Sequence, residues 1–181
     1  MLTASQVAAA SSLNIMSPRP NGRVVATATG ADLILTRTFN ASIDDVWKSV
    51  TDPACTARWF GRWEGDAGPG KHVTLFMGFE KDAPPAQMLI ETCQPPRHFA
   101  VAMKDAMGDW RLELSLAQSG DLTTLTFVQH LADTNAVGDV GPGWEYYLDM
   151  LVASRSGNPL PAFGDYYPAQ RDYFVAQVSK K

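Results

Sequence analysis

Four polar residues sit beside apolar runs where proton transfer would be feasible: Glu91 in "QMLIETC", Gln129 and His130 in "LTTLTFVQHL", and Tyr147 in "GWEYYLDML". Acid–base chemistry needs only one or two such groups facing an apolar cavity. Glu91 has two readings. If Leu89 and Cys93 point inward, Glu91 does too, and burial would raise its pKa. The opposite register puts Met88, Ile90 and Thr92 inside and leaves Glu91 in solvent, and the run is apolar enough for either. Gln129 shares parity with Leu125 and Phe127 and is the better interior polar group; His130 alternates away from it.

Stronger chemical signatures are missing. His72, His98 and His130 stand on separate extended segments without paired spacing, and there is no HExxH or CxxC, so no metal site is expected. No GxSxG elbow surrounds a serine, and Cys55 and Cys93 carry no nucleophile signature. "GDAGPG" lacks the Lys-Ser/Thr of a phosphate loop. These patterns imply no cofactor. With 15 basic and 19 acidic residues the net charge is −4, which argues against a phosphate-dominated nucleic-acid surface. Two cysteines make no disulfide framework, no apolar run reaches membrane-spanning length, and the N-terminus lacks a secretory pattern. A cytoplasmic protein without membrane insertion is expected.

The aromatic and sulfur-bearing residues point to a different chemistry, the holding of an apolar guest. Trp144, Tyr147, Leu148 and Leu151 recur at helical spacing. Trp110, Leu112 and Phe127 face inward on alternating strands, as do Leu75, Met77 and Phe79. Tryptophan and tyrosine tips want polar partners, and methionines such as Met77 and Met103 give adaptable walls. The expected lining is Trp63, Leu75, Met77, Phe79, Met103, Trp110, Leu112, Phe127, Gln129, Trp144, Tyr147, Leu148 and Leu151, with Trp59, Phe60 and Trp63 at the rim.

The elements that must position these residues follow from period and punctuation. Two extended segments, near Val24–Ala28 and from Leu33 to Phe39, break at Gly30-Ala31-Asp32; Arg37 interrupts the apolar face of the second. Ser42 and Asp45 resemble a capping box ahead of Ile43, Val46, Trp47 and Val50. Asp52-Pro53 stops that helix and opens a second, which ends near "RWFG". "GRWEGDAGPG" reads as a loop. Five strands joined by short turns follow from Lys71 to Leu131, an antiparallel meander. A helix opens on Gly141-Pro142-Gly143 and ends at Gly157, with Glu145 and Asp149 off its apolar stripe.

"LTRTFNASIDDVWKSVTDPACTARWF", "ETCQPPRHFAV" and "GPGWEYYLDML" together resemble domains related to the C-terminal domain of activators of the heat-shock-protein-ninety ATPase. The resemblance covers about residues 31–157. It implies an α+β helix-grip fold: about seven antiparallel strands curved around a long C-terminal helix, often enclosing a cavity for an apolar ligand. The wider group includes lipid carriers, pollen-allergen-like binders, polyketide cyclases and stress-related co-chaperones. The eukaryotic co-chaperones carry a further docking domain, for which residues 1–30 are too short. The expected organisation is an N-terminal arm over 1–21 with a short helix near Ser5–Ser12, a helix-grip domain over 22–157, and a tail over 158–181. Three roles follow: non-enzymatic binding of a small hydrophobic molecule, a cyclase- or hydrolase-like enzyme using Glu91, Gln129 or His130, or a chaperone-related or homodimeric module. Homodimer contacts would come from Tyr166, Tyr167, Tyr173 and Phe174 in the tail.

Overall fold

A computed structural model describes residues 18–105 and 108–178. The expected helix near Ser5–Ser12 lies outside the described residues.

One antiparallel sheet of eight strands forms the body. The chain runs β1 (Arg23–Thr27), β2 (Gly30–Asn40), α1 (Ile43–Thr51), α2 (Pro53–Thr56), β3 (Gly61–Glu64), β4 (His72–Met77), β5 (Ala86–Gln94), β6 (His98–Asp105), β7 (Gly108–Ser119), β8 (Leu122–Leu131), α3 (Val137–Ser156) and α4 (Arg171–Val178). Strand order is β1-β2-β8-β7-β6-β5-β4-β3. Every hairpin from β3 to β8 joins neighbours, and β2 closes onto β8 in full register from Ala31↔Leu131 to Asn40↔Leu122. This is the helix-grip arrangement, with one strand more than expected. The extra strand, β3, occupies the stretch read as a loop. Its four residues begin at Gly61 and stop before Gly65, and so short a run shows no alternation.

Local chemistry sets the two short helices. The Ser42 hydroxyl accepts from the Asp45 amide, and Asp44 and Asp45 occupy the positive first turn of α1. The Asp52 carboxylate accepts from the Ala54 and Cys55 amides, and Pro53 supplies the first helical residue of α2. Val46 and Val50 fill the space beneath α1.

The long helix starts earlier than expected. Val137 is its first residue, so Gly141, Pro142 and Gly143 lie inside it. The missing proline N–H leaves a gap in the ladder, yet the helix continues. Gly138 and Gly141 answer to packing against α4. A Cβ on Gly141 would overlap the Phe174 ring, and one on Gly138 would lie 2.8 Å from the Val175 side chain. Gly157, at φ 68°, closes α3 in the left-handed conformation as expected.

The tail is bound into this packing. Phe174 and Tyr166 are 0% and 1% exposed, which removes two of the four aromatics proposed for a homodimer surface; Tyr167 and Tyr173 remain outside. Gln177 accepts from the Val24 amide at 2.9 Å and donates to the Gly22 carbonyl at 3.1 Å, fastening α4 to the edge strand β1.

Arg37 and Glu145 explain each other. Arg37 points inward with Leu33, Leu35 and Phe39, and its Nη2 meets Glu145 Oε2 at 2.7 Å. Its Nε donates to Asp149 Oδ1 at 2.8 Å. Glu145, expected off the buried stripe, is 1% exposed. Its Oε1 accepts from the Asn21 and Gly22 amides at 2.6 and 2.7 Å, and Tyr166 donates to Asp149 Oδ2 at 2.8 Å. A carboxylate with one guanidinium and two amide donors tolerates burial because its lone pairs are used.

Candidate ligand cavity

A cavity of about 180 Å³ lies between the concave face of the sheet, the α1–α2 pair and the first half of α3. Strands β4 and β5 contribute Val73, Leu75, Met88, Ile90 and Cys93; β6, β7 and β8 contribute Phe99, Val101, Leu112, Leu114 and Phe127. The helical side is Val50, Thr51, Thr56, Trp59 and Phe60, with Trp144 reaching down from α3. Ala67 and Gly68, on the exposed connection after β3, stand with Trp63 at the mouth.

The aromatic walls are braced. The Trp59 indole N–H donates to the Ser49 carbonyl at 3.0 Å, and that of Trp63 to the Thr51 carbonyl at 3.2 Å. The Trp144 indole donates to Gln129 Oε1 at 2.6 Å. Trp144 also lies 4.2 Å from Phe127 and 5.8 Å from Phe60 between ring centres. The Thr51 and Thr56 hydroxyls donate to the carbonyls of Trp47 and Pro53. Every hydroxyl and indole at the wall is therefore already engaged. What remains is the Cys93 thiol, whose pKa burial pushes up, so it stays protonated at neutral pH.

Of the residues expected to line the site, Trp63, Leu75, Leu112, Phe127 and Trp144 do so. Gln129, 3% exposed, sits behind Trp144 and sets its ring. Leu148 and Leu151 are fully buried in solid core. Met77, Met103 and Trp110 are half-buried and lie away from the cavity. Phe79 is 37% exposed: β4 ends at Met77, so alternation no longer governs it. Tyr147 packs edge-on against Phe60 at 5.1 Å, and its hydroxyl donates to Glu80 Oε1 at 2.9 Å. Burial, and then the Glu80 carboxylate, push its pKa far above the ordinary phenol value.

The two remaining acid–base candidates face away. The ambiguity over Glu91 resolves into a bulge: Ile90 pairs with Val101 and Thr92 with Ala100, leaving Glu91 as the extra residue. Both readings are thus half right, because Met88 and Ile90 line the cavity before the bulge and Cys93 after it. Glu91 reaches Arg111 at 3.4 Å on the outer face. His130 is on that face too, with Nδ1 2.7 Å from Asp32 and Nε2 3.3 Å from Glu113. Desolvation lowers its pKa, but the hydrogen bonds and charges of Asp32 and Glu113 outweigh this, and the pKa is raised. Among the described residues no group of His, Cys, Asp and Glu is arranged to hold a metal ion.

Residues missed beforehand come mainly from α1–α2 and from β5–β6: Val50, Thr56, Cys93, Phe99 and Val101. The stripe Val46-Val50 and the "TDP" stop signalled a helix pair over the sheet, but not which half of the interior it would leave empty.

Solved structures of other proteins share this architecture. CalU16 from Micromonospora echinospora superposes with a TM-score of 0.71 at 26% identity, over 88% of this chain and 97% of that one. The BPP1335 protein from Bordetella parapertussis gives 0.68 at 24% identity, over 90% and 93%. EF2215 from Enterococcus faecalis, described as a conserved protein of unknown function, gives 0.68 at 15%, over 87% and 90%. No curated protein matches the sequence significantly. No helix among the described residues is long and apolar enough to cross a membrane. The profile of Activator of Hsp90 ATPase homolog 1-like proteins matches residues 40–154, more than half of the chain. The chain belongs to that family.

Proposed function

We propose that this protein is a cytoplasmic, non-enzymatic binder of a small apolar, aromatic molecule, held between Trp144 and the sheet without a cofactor. One observation carries the reading: the cavity wall offers hydrocarbon, aromatic faces and a neutral thiol, with each hydroxyl and indole N–H already paired inside the protein. Such a wall rewards apolar area and penalises any guest that must bury an unpaired polar group. An apolar cavity of about 150 Å³ accepts benzene. The space here, about 180 Å³, suits one ring or a compact fused pair. Acid–base catalysis by Glu91, Gln129 or His130 is not supported by this geometry. Two face solvent, and the third has its amide oxygen committed to Trp144.

Trp59, Trp63 and Trp144 give the binding event its own signal. Titration with naphthalene, indole and a panel of lipids and aromatic polyketides should shift the indole N–H resonances of these residues saturably for the compact aromatic members. Unmoved resonances across the panel would refute the reading. Conversion of any panel member, lost on Gln129→Ala, would favour the enzyme instead.

A second reading, self-association through the tail, rests on Leu160, Phe163, Tyr167 and Tyr173, all more than a third exposed, with Phe163 and Tyr167 stacked at 5.9 Å. Light scattering checks it: a mass that doubles with concentration supports it, and a constant monomer mass removes it.

A further inference from the structure

On the outer side of α1 and α2, away from the apolar cavity, the last turn of α3 completes a polar recess of about 250 Å³. Its lining is Asp45, Lys48, Ser49, Cys55, Arg58 and Arg155. Three cations and one carboxylate meet there, in a chain whose net charge is −4. That local excess runs against the rest of the molecule and sits in a concavity, where field lines converge.

The recess is built in two parts. Arg155 is fixed: its Nη2 meets Asp45 Oδ2 at 2.6 Å, its Nη1 donates to the Asp45 carbonyl at 3.1 Å and to the Ser49 hydroxyl, and its guanidinium lies 5.1 Å from the Phe39 ring centre. Its side chain is 14% exposed. The Asp45 charge is therefore spent on Arg155. Lys48 and Arg58 make no side-chain hydrogen bond or ion pair among the described residues. Two unneutralised cations thus border a recess whose floor is already ordered. A guanidinium fork beside a mobile ammonium suits an oxyanion carrying two charges.

We propose that this recess binds a phosphate-class dianion, either the free ion or the phosphate end of a small monoester, held by Lys48 and Arg58 with Arg155 as a fixed third cation. The site is separate from the apolar cavity. Residues of α1, α2 and the turn after α2 alternate between the two: Val50, Thr51, Thr56 and Trp59 face the cavity, whereas Lys48, Ser49, Cys55 and Arg58 face the recess.

Cys55 makes the test direct. It lines the recess, and the chain has two cysteines, so Cys93→Ala leaves it as the single thiol. The rate of Cys55 alkylation by neutral iodoacetamide is followed against inorganic phosphate and against phenyl phosphate, with ionic strength held constant by sodium chloride. Calorimetric titration of the same protein reads binding independently of the thiol. Saturable heat, with alkylation slowed about threefold or more, is the expected result. Lys48→Gln combined with Arg58→Gln should weaken both at least tenfold, while Lys81→Gln combined with Lys104→Gln, an equal charge change elsewhere, should leave them unchanged. Equal affinity for the two anions assigns the site to the free ion; tighter phenyl phosphate assigns it to a monoester. No heat beyond that of chloride, or an unchanged affinity in the double variant, overturns the proposal.

Discussion

Beneath Leu148 and Leu151, α3 and the sheet meet with both side chains at 0% exposure, whereas beyond Trp144 the same two surfaces stand apart around about 180 Å³ of space. The filled half is closed by flexible aliphatic side chains that settle into each other. The open half is bounded by large flat rings whose indole N–H groups are tied to Ser49, Thr51 and Gln129. Those bonds stop the rings from rotating inward. A space of that size, walled by braced rings, fits the proposed seat for a guest better than slack packing.

The comparison can be broken most severely at the filled end, where Arg37 joins β2 to α3. Arg37→Ala leaves Glu145 buried against two amides without its cation, and should cost about 4 kcal/mol in urea unfolding. Leu148→Ala, in solid core, should cost about 3 kcal/mol by the same measurement, whereas Leu114→Ala, on the cavity wall, should cost nearer 2 kcal/mol. Equal costs at the two leucines would mean that the halves are packed alike. Gln129→Leu strips the Trp144 indole of its acceptor and should cost about 1.5 kcal/mol, with changed Trp144 fluorescence.

The smallest effect belongs to the outer face. His130 is flanked by Asp32 and Glu113, with His98 sharing Glu113 at 3.5 Å and Arg111 opposite it in register. Its pKa is raised on folding, so its contribution is complete below the unfolded value of about 6.5 and fades as pH rises through the higher folded value. Urea midpoints for His130→Gln should lose that part of the pH dependence, while the cavity, which His130 does not touch, keeps its ligand affinity.

Much of this was legible in the sequence. The alternation in "WRLELSL" and "LTTLTFVQHL", the Ser42 and Asp52 caps and the Trp144–Leu151 stripe each encode local structure within a few residues. What escaped depends on partners distant in the chain. Glu145 is off the stripe as a helix residue and becomes buried only because Arg37, 108 residues away, enters from β2. Gly141-Pro142-Gly143 reads as the opening of the helix until Phe174 of α4 is seen to need the space a side chain on Gly141 would take. Glu91 defied assignment because a bulge changes which residues face inward midway along β5, and single-strand periodicity assumes no bulge. The Trp144 end of the cavity could be foreseen; its extension under α1 and α2, away from Tyr147, reflects how far the helix pair stands off the sheet.

Cys93 lies on the cavity wall and its thiol makes no hydrogen bond among the described residues, so Cys93→Phe places a ring in that space. Calorimetric titration of the wild type and of Cys93→Phe with naphthalene therefore tests the binding account most directly. Saturable one-to-one binding by the wild type, weakened at least tenfold in the filled variant, is the predicted result. No saturable binding by the wild type, or equal affinity in both proteins, would contradict it.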